Sequence, residues 1–192
     1  MKIVEGDDIT KGTVDVVVCD PFLDPTVVPW PLVGLEALLQ CDIVLLHAPL
    51  TVTGAHPTRH LIGASELALL KPNGLLINAG RGAVIDNRAL LDYLNANSGC
   101  DVVLDVWEQE PLVEAALLDK VTLGTPHIAG YSLQGRSNGT AMVAAGLAQH
   151  LGESLVDSGQ EGPLEALTGV SDLNAAIVAT YSVVADDQRL RA

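Results

Sequence analysis

Arg81, Glu110 and His127 each stand where an apolar run of this chain gives out. Arg81 lies between two glycines in Asn78-Ala79-Gly80-Arg81-Gly82. Glu110 closes Asp105-Val106-Trp107-Glu108-Gln109-Glu110, ahead of Pro111. His127 follows Pro126 at the end of the run that begins at Val121. A guanidinium fork grips a carboxylate through two parallel hydrogen bonds. An imidazole exchanges a proton near neutrality. A carboxylate bonded to the far ring nitrogen orients that imidazole and favours its charged form. Together the three types suit removal of a proton from a hydroxyl on a carbon that carries a carboxylate, the arrangement needed to oxidise a hydroxy acid.

Singly, each residue has an ordinary structural role open to it. Arg81 can be a solvent-facing turn residue, Glu110 a surface carboxylate and His127 a residue that closes a strand. Asp20 ends the run Val14–Asp20, where an acid can accept both hydroxyls of a ribose or cap the turn before Pro21. Asp105 can bond a nucleotide's amide or cap the loop that follows it. His47 reads as the polar close of a strand, and His56, His60 and His150 as surface polarity.

These residues need a scaffold that brings strand ends together. Apolar runs at Val14–Asp20, Asp42–His47, Leu75–Ala79, Asp101–Val106 and Val121–Leu123 read as buried strands. Helices are expected at Gly34–Gln40, from Ser65 through Leu70, after a cap at Asp86 or Asn87, and from Gln134 to Leu151. Strands that alternate with helices, apolar throughout rather than in alternation, form an open parallel α/β sheet, and ligands gather at the carboxyl ends of its strands. Asp20, His47, Arg81, Asp105 and His127 all fall there. Residues 152–170 read as a linker and Asp172–Leu190 as one amphipathic helix.

Composition narrows the classes. A formal charge of −14 opposes nucleic acid and anionic membranes as partners. Aromatics are 3% of the 192 residues, so the core must be aliphatic. Cys19, Cys41 and Cys100 are widely spaced and read as buried thiols. No Cys-x-x-Cys pair occurs, and the His-x-x-x-His spacing of His56 and His60 reads as surface polarity, so no metal is expected. The opening MKIVEGDDITKG lacks a signal-peptide core, so the expected compartment is the cytoplasm.

Four segments together resemble the D-isomer-specific 2-hydroxyacid dehydrogenases: CDIVLLHAPL, KPNGLLINAGRGAVIDNRAL, VVLDVWEQEP and TPHIAGYS. The HIAGYSLQG form of the last is similar to a branch that acts on a small phosphorylated hydroxy acid. The resemblance implies a Rossmann-like sheet with helices on both faces, and NAD as cofactor. It makes Arg81 the carboxylate grip, Glu110 the orienting acid and His127 the proton acceptor and donor. Asp20, Ala48, Ala79, Asp105 and Gly130 become NAD contacts, and Tyr131 a substrate contact. It also implies a homo-oligomer.

No G-x-G-x-x-G occurs in the chain, and about a dozen residues precede Val14. That loop places glycine backbone at a helix N-terminus, where a pyrophosphate docks. The expected fold is therefore incomplete, lacking the glycine-loop strand and helix at its centre and leaving bare edges there. Residues 1–13 read as a remnant of a substrate domain, 14–151 as a partial NAD-binding domain, and 152–192 as a linker and remnant of a dimerisation domain. Arg136 is the nearest cation for a substrate phosphate. Three readings compete: an enzyme for a phosphorylated hydroxy acid, an inactive binding or oligomerisation remnant, and a dehydrogenase for another acid such as 3-phosphoglycerate.

Overall fold

The computed structural model describes residues 2–5, 15–96, 99–130, 140–141, 143–148, 150, 152 and 182–192. They divide into two compact units, Met1–His127 with Val183–Ala192, and Ile128–Ser182. The division falls after His127. In the second unit the described residues between 140 and 150 are helical, within the stretch where a helix is expected.

The first unit is built on one sheet of six strands. In chain order the elements are β1 (Lys2–Glu5), β2 (Asp15–Val18), α1 (Leu35–Leu39), β3 (Ile43–Leu46), α2 (Ala64–Leu67), β4 (Leu75–Asn78), a 3-10 turn (Gly82–Val84), α3 (Asn87–Ala96), β5 (Asp101–Leu104), α4 (Ala115–Leu118), β6 (Leu123–Gly124) and α5 (Val183–Arg191). The sheet order is β2-β1-β3-β4-β5-β6. Strands β3 to β6 pair in parallel, with Val44 opposite Leu76 and Leu76 opposite Val102. The parallel α/β architecture is the one expected, and the strands read from Asp42, Leu75, Asp101 and Val121 all form.

The sheet's centre differs from expectation. The slot between β2 and β3 is not empty: β1 fills it, antiparallel to both neighbours, with Ile3 opposite Val17 and Val44. Residues 2–5 therefore belong to the sheet. Unpaired amides and carbonyls flanking a gap are costly, and the backbone of four residues is enough to bridge them. Because β1 opposes both strands, β2 and β3 run the same way. Asp20, His47, Ala79, Asp105 and Thr125 thus share one carboxyl edge.

Burial alternates along the central strands. Val44, Leu46, Leu76, Val102 and Leu104 are fully buried and pack with Leu38, Leu39, Leu67, Leu90 and Leu117 from helices α1 to α4. Burying each such leucine contributes about 2 kcal/mol. Ile43, Leu45, Ile77 and Val103, which alternate with them, are only half-buried. Asp86 caps α3, its Oδ1 accepting the Ala89 amide at 3.0 Å. Among the described residues no helix is long and apolar enough to cross a membrane.

Helix α5 closes the β6 edge. Asp187 Oδ1 accepts the Gly124 amide at 2.7 Å, and Arg191 donates to the carbonyls of Leu118 at 2.6 Å and Val121 at 3.1 Å. The Arg191 hydrogen bond, with help from the Gly124 amide, holds the Asp187 carboxyl below the ordinary aspartate range. A lowered folded-state value means the contact contributes fully above the unfolded aspartate value and is lost as pH falls through the folded one. We expect Asp187→Ala to cost about 1–2 kcal/mol and to lower Tm at neutral pH, with less effect in acid. An unchanged Tm in a thermal melt at pH 7 would show that α5 does not hold the edge.

Candidate active site

Trp107 is where the strand-end segments meet. It is 3% exposed. Its indole Nε1 donates to the Thr125 carbonyl at 3.0 Å, and its ring lies against Gly124, where any Cβ would collide with it and with Leu118. Its backbone lies directly over Gly82, so that a Cβ on Gly82 would overlap the Trp107 carbonyl and the Glu108 amide nitrogen. Glycine at position 82 is what lets the segment after β4 touch the segment after β5.

Glu110 turns back onto this hub. Its Oε1 accepts the Trp107 amide at 2.8 Å, and its Oε2 lies 2.8 Å from His127 Nδ1. His127 is held from behind, its own amide donating to the Asp105 carbonyl at 2.7 Å. Its φ of +57° is a left-handed conformation that side chains seldom adopt. Such strain persists only where surrounding contacts over-determine it. Acid and histidine are each about one-third exposed, so the pair is open to solvent on one side. Among the described residues His127 Nε2 makes no hydrogen bond.

Arg81 is exposed and follows a buried asparagine. Asn78 lies at the end of β4, accepts the Gly80 amide through Oδ1 and donates to the Arg81 carbonyl, both at 3.1 Å. Among the described residues the guanidinium bonds only its neighbour's carbonyl, Gly80 O, at 2.8 Å, and has no carboxylate partner. Its remaining donors are available to an anion.

The nucleotide-side residues divide. Asp20 Oδ1 accepts the Phe22 amide at 2.9 Å, so the turn-capping role is realised in one oxygen. Asp105 is buried, and one of its oxygens accepts the Thr125 hydroxyl at 2.5 Å. Ala48 and Ala79 are half-buried on neighbouring strand ends, packed so closely that a Cβ on Gly80 would lie 3.1 Å from the Ala48 carbonyl. Gly130 belongs to the second unit and is exposed. Tyr131 and Arg136 lie outside the described residues.

His60 carries more than surface polarity. Its Nε2 lies 2.7 Å from Glu108 Oε1 and its Nδ1 3.8 Å from Asp86 Oδ2. The sequence carries no signal for this, because the partners are 48 and 26 residues away and no spacing rule links them. His56, by contrast, only meets the Phe22 ring edge-on, with centroids 5.4 Å apart.

With the site in view, the family profile "D-isomer specific 2-hydroxyacid dehydrogenase, NAD binding domain" matches residues 9–129. The chain belongs to this family. It is 45% identical over 188 residues to the erythronate-4-phosphate dehydrogenase of Cellvibrio japonicus, covering 93% of this chain and 50% of that protein. It is 48% identical over 169 residues to the enzyme of the same name from Marinobacter nauticus, covering 83% and 44%. The chain spans about half the length of the curated relatives it matches. The apo D-mandelate dehydrogenase of Rhodotorula graminis superposes with a TM-score of 0.61 at 27% identity, over 73% of this chain and 42% of that one.

Gly82→Ala should force the Trp107 backbone away from the segment after β4. Overpacking of this kind costs about 1–3 kcal/mol, and we expect a lower Tm together with a shifted Trp107 fluorescence maximum. An alanine variant with both quantities unchanged would mean the two segments do not touch as described.

Proposed function

We propose that this chain holds the substrate grip and the acid–base pair for NAD-dependent oxidation of 4-phospho-D-erythronate to 2-oxo-3-hydroxy-4-phosphobutanoate, a step of pyridoxine biosynthesis. The observation that carries the reading is the Glu110–His127 contact at 2.8 Å, with Arg81 lacking a carboxylate partner among the described residues. The resemblance to erythronate-4-phosphate dehydrogenases supports the choice of substrate.

Arg81 grips the C1 carboxylate by its planar fork. Glu110, pinned by the Trp107 amide, accepts the Nδ1 hydrogen of His127 and so keeps the Nε2 lone pair for substrate. That nitrogen takes the proton of the C2 hydroxyl, and the oxygen's electrons form the carbonyl as the C2 hydrogen departs as hydride. The resulting imidazolium is stabilised by the Glu110 carboxylate. NAD, when bound, supplies the hydride acceptor.

The described residues fit the two ends of that cofactor. Asp20 would hold a ribose and Asp105 the nicotinamide amide, with Ala48 and Ala79 as backbone contacts. They do not fit its middle. Strand β1 runs antiparallel, so the chain leaves it at the edge opposite Asp20 and Asp105. Among the described residues no glycine loop opens a helix beside that slot. This favours a second reading, in which the chain is a catalytically inactive relative of the dehydrogenases. We further propose a homo-oligomer. The bare edges expected at the sheet's centre are closed by β1, and the ground for association is the half-buried sheet face of Ile43, Leu45, Ile77 and Val103.

NADH titrated into the chain should show no saturable fluorescence enhancement at micromolar concentration; such enhancement would contradict the misfit. In a chain given a relative's strand, glycine loop and helix, His127→Ala should lower kcat about 100- to 10,000-fold, and Arg81→Lys should chiefly raise KM. Wild-type kinetics in either variant would remove the proposed role, and a rebuilt chain that binds NADH without turnover would favour the inactive reading. Light scattering should give a mass of two copies or more, and a monomer at micromolar concentration would contradict the oligomer.

A further inference from the structure

The cluster around Glu108 lies outside the hydroxy-acid site, yet it is built onto the same segment. Glu108 Oε1 meets His60 Nε2 at 2.7 Å, with Arg59 Nη2 farther off at 3.8 Å. Glu108 Oε2 accepts the Asn87 amide at 3.1 Å, and Asn87 Oδ1 accepts the Glu108 amide at 3.1 Å. The first turn of α3 and the segment after β5 therefore clasp each other reciprocally. His60 is itself locked in place. Its amide donates to the Ala83 carbonyl at 2.8 Å, the Ile62 amide donates to the Val84 carbonyl, and the His60 φ is +51°, left-handed like that of His127. A carboxylate only 19% exposed needs every one of these donors.

We propose that His60 is a positioning residue for the Glu110–His127 pair, acting through Glu108 on the segment Trp107–Glu110. The inference rests on the reading of Glu110 as orienting acid and His127 as base. The path is short and continuous. His60 fixes Glu108, Glu108 and Asn87 fix the backbone at position 108, and the preceding amide, Trp107 N–H, fixes Glu110 Oε1, whose other oxygen meets His127. Without His60, Glu108 Oε1 keeps only the distant Arg59. The carboxylate then turns to water through a cleft of about 600 Å3 lined by His60, Asp86, Asn87, Trp107 and Glu108. The segment follows, the Trp107 amide swings from Glu110, and the acid loses its aim at Nδ1.

Nitrogen-15 NMR of the imidazoles in the 192-residue chain reads this without cofactor or turnover. In the wild type, neutral His127 should carry its hydrogen on Nδ1. Glu110→Gln should move the hydrogen toward Nε2, which tests the orienting-acid reading by itself. His60→Ala should shift the Nδ1-to-Nε2 ratio toward Nε2 at least about twofold, the low end of what one hydrogen bond is worth. His60→Gln, which keeps an N–H for Glu108, should recover most of it. A purely structural His60 would lower Tm and leave the His127 tautomer unmoved. If His60→Ala does not fold, Glu108→Ala takes its place with the same expected shift. A wild-type tautomer in the folded alanine variant, while Glu110→Gln moves it, would overturn the role of His60 and leave the acid–base pair standing.

Discussion

The close approach of Trp107 to Gly82 is the contact on which the site depends. Two segments that follow neighbouring parallel strands would ordinarily stand apart by the width of a side chain. Here the missing Cβ at position 82 lets the Trp107 backbone rest on the turn that begins with Arg81. The indole is then anchored on a third strand end, through Thr125 and Gly124. Arg81, Glu110 and His127 come from three separate strand ends, and one buried tryptophan touches the segment of each. A rigid hub of this kind spares a site the entropy of ordering three loops independently.

Parallel strands give the hub its place. With β3 to β6 in register, their carboxyl ends form one line, and the polar residues that close each apolar run are delivered to it. Strand β1 obeys a different logic. It satisfies the facing edges of β2 and β3 by antiparallel pairing, which needs only backbone groups. It repairs the sheet but brings no helix N-terminus to the carboxyl edge. On the proposed reading the chain keeps the acid–base end of a dehydrogenase site and lacks described residues for a pyrophosphate.

Much of this was legible in the residues. The β3, β4 and β5 runs are apolar, of strand length and bounded by proline, glycine or asparagine, and each forms its strand close to the expected bounds. Arg81, Glu110 and His127 could be singled out because each follows a strand. What stayed hidden depends on partners distant in sequence. Lys2–Glu5 holds only two apolar residues between charged ones, so it does not announce a strand, and its direction is set by two edges that exist only after folding. His60 lies in a polar loop, and nothing local shows that Glu108 will come within 2.7 Å of it. Asp20 left two roles open, and the turn following it took one of its oxygens.

The amide of Trp107 reports on the arrangement most directly. It is buried and donates to Glu110 at 2.8 Å, so it exchanges with solvent only when the acid lets go or the segment lifts from Gly82. Hydrogen exchange followed by NMR should show this amide protected to the level of the β4 and β5 strand amides, although it belongs to no strand. Exchange at the rate of an exposed loop would mean that the carboxylate of Glu110 is not held, and that the pairing of Glu110 with His127 is not a built feature of the fold.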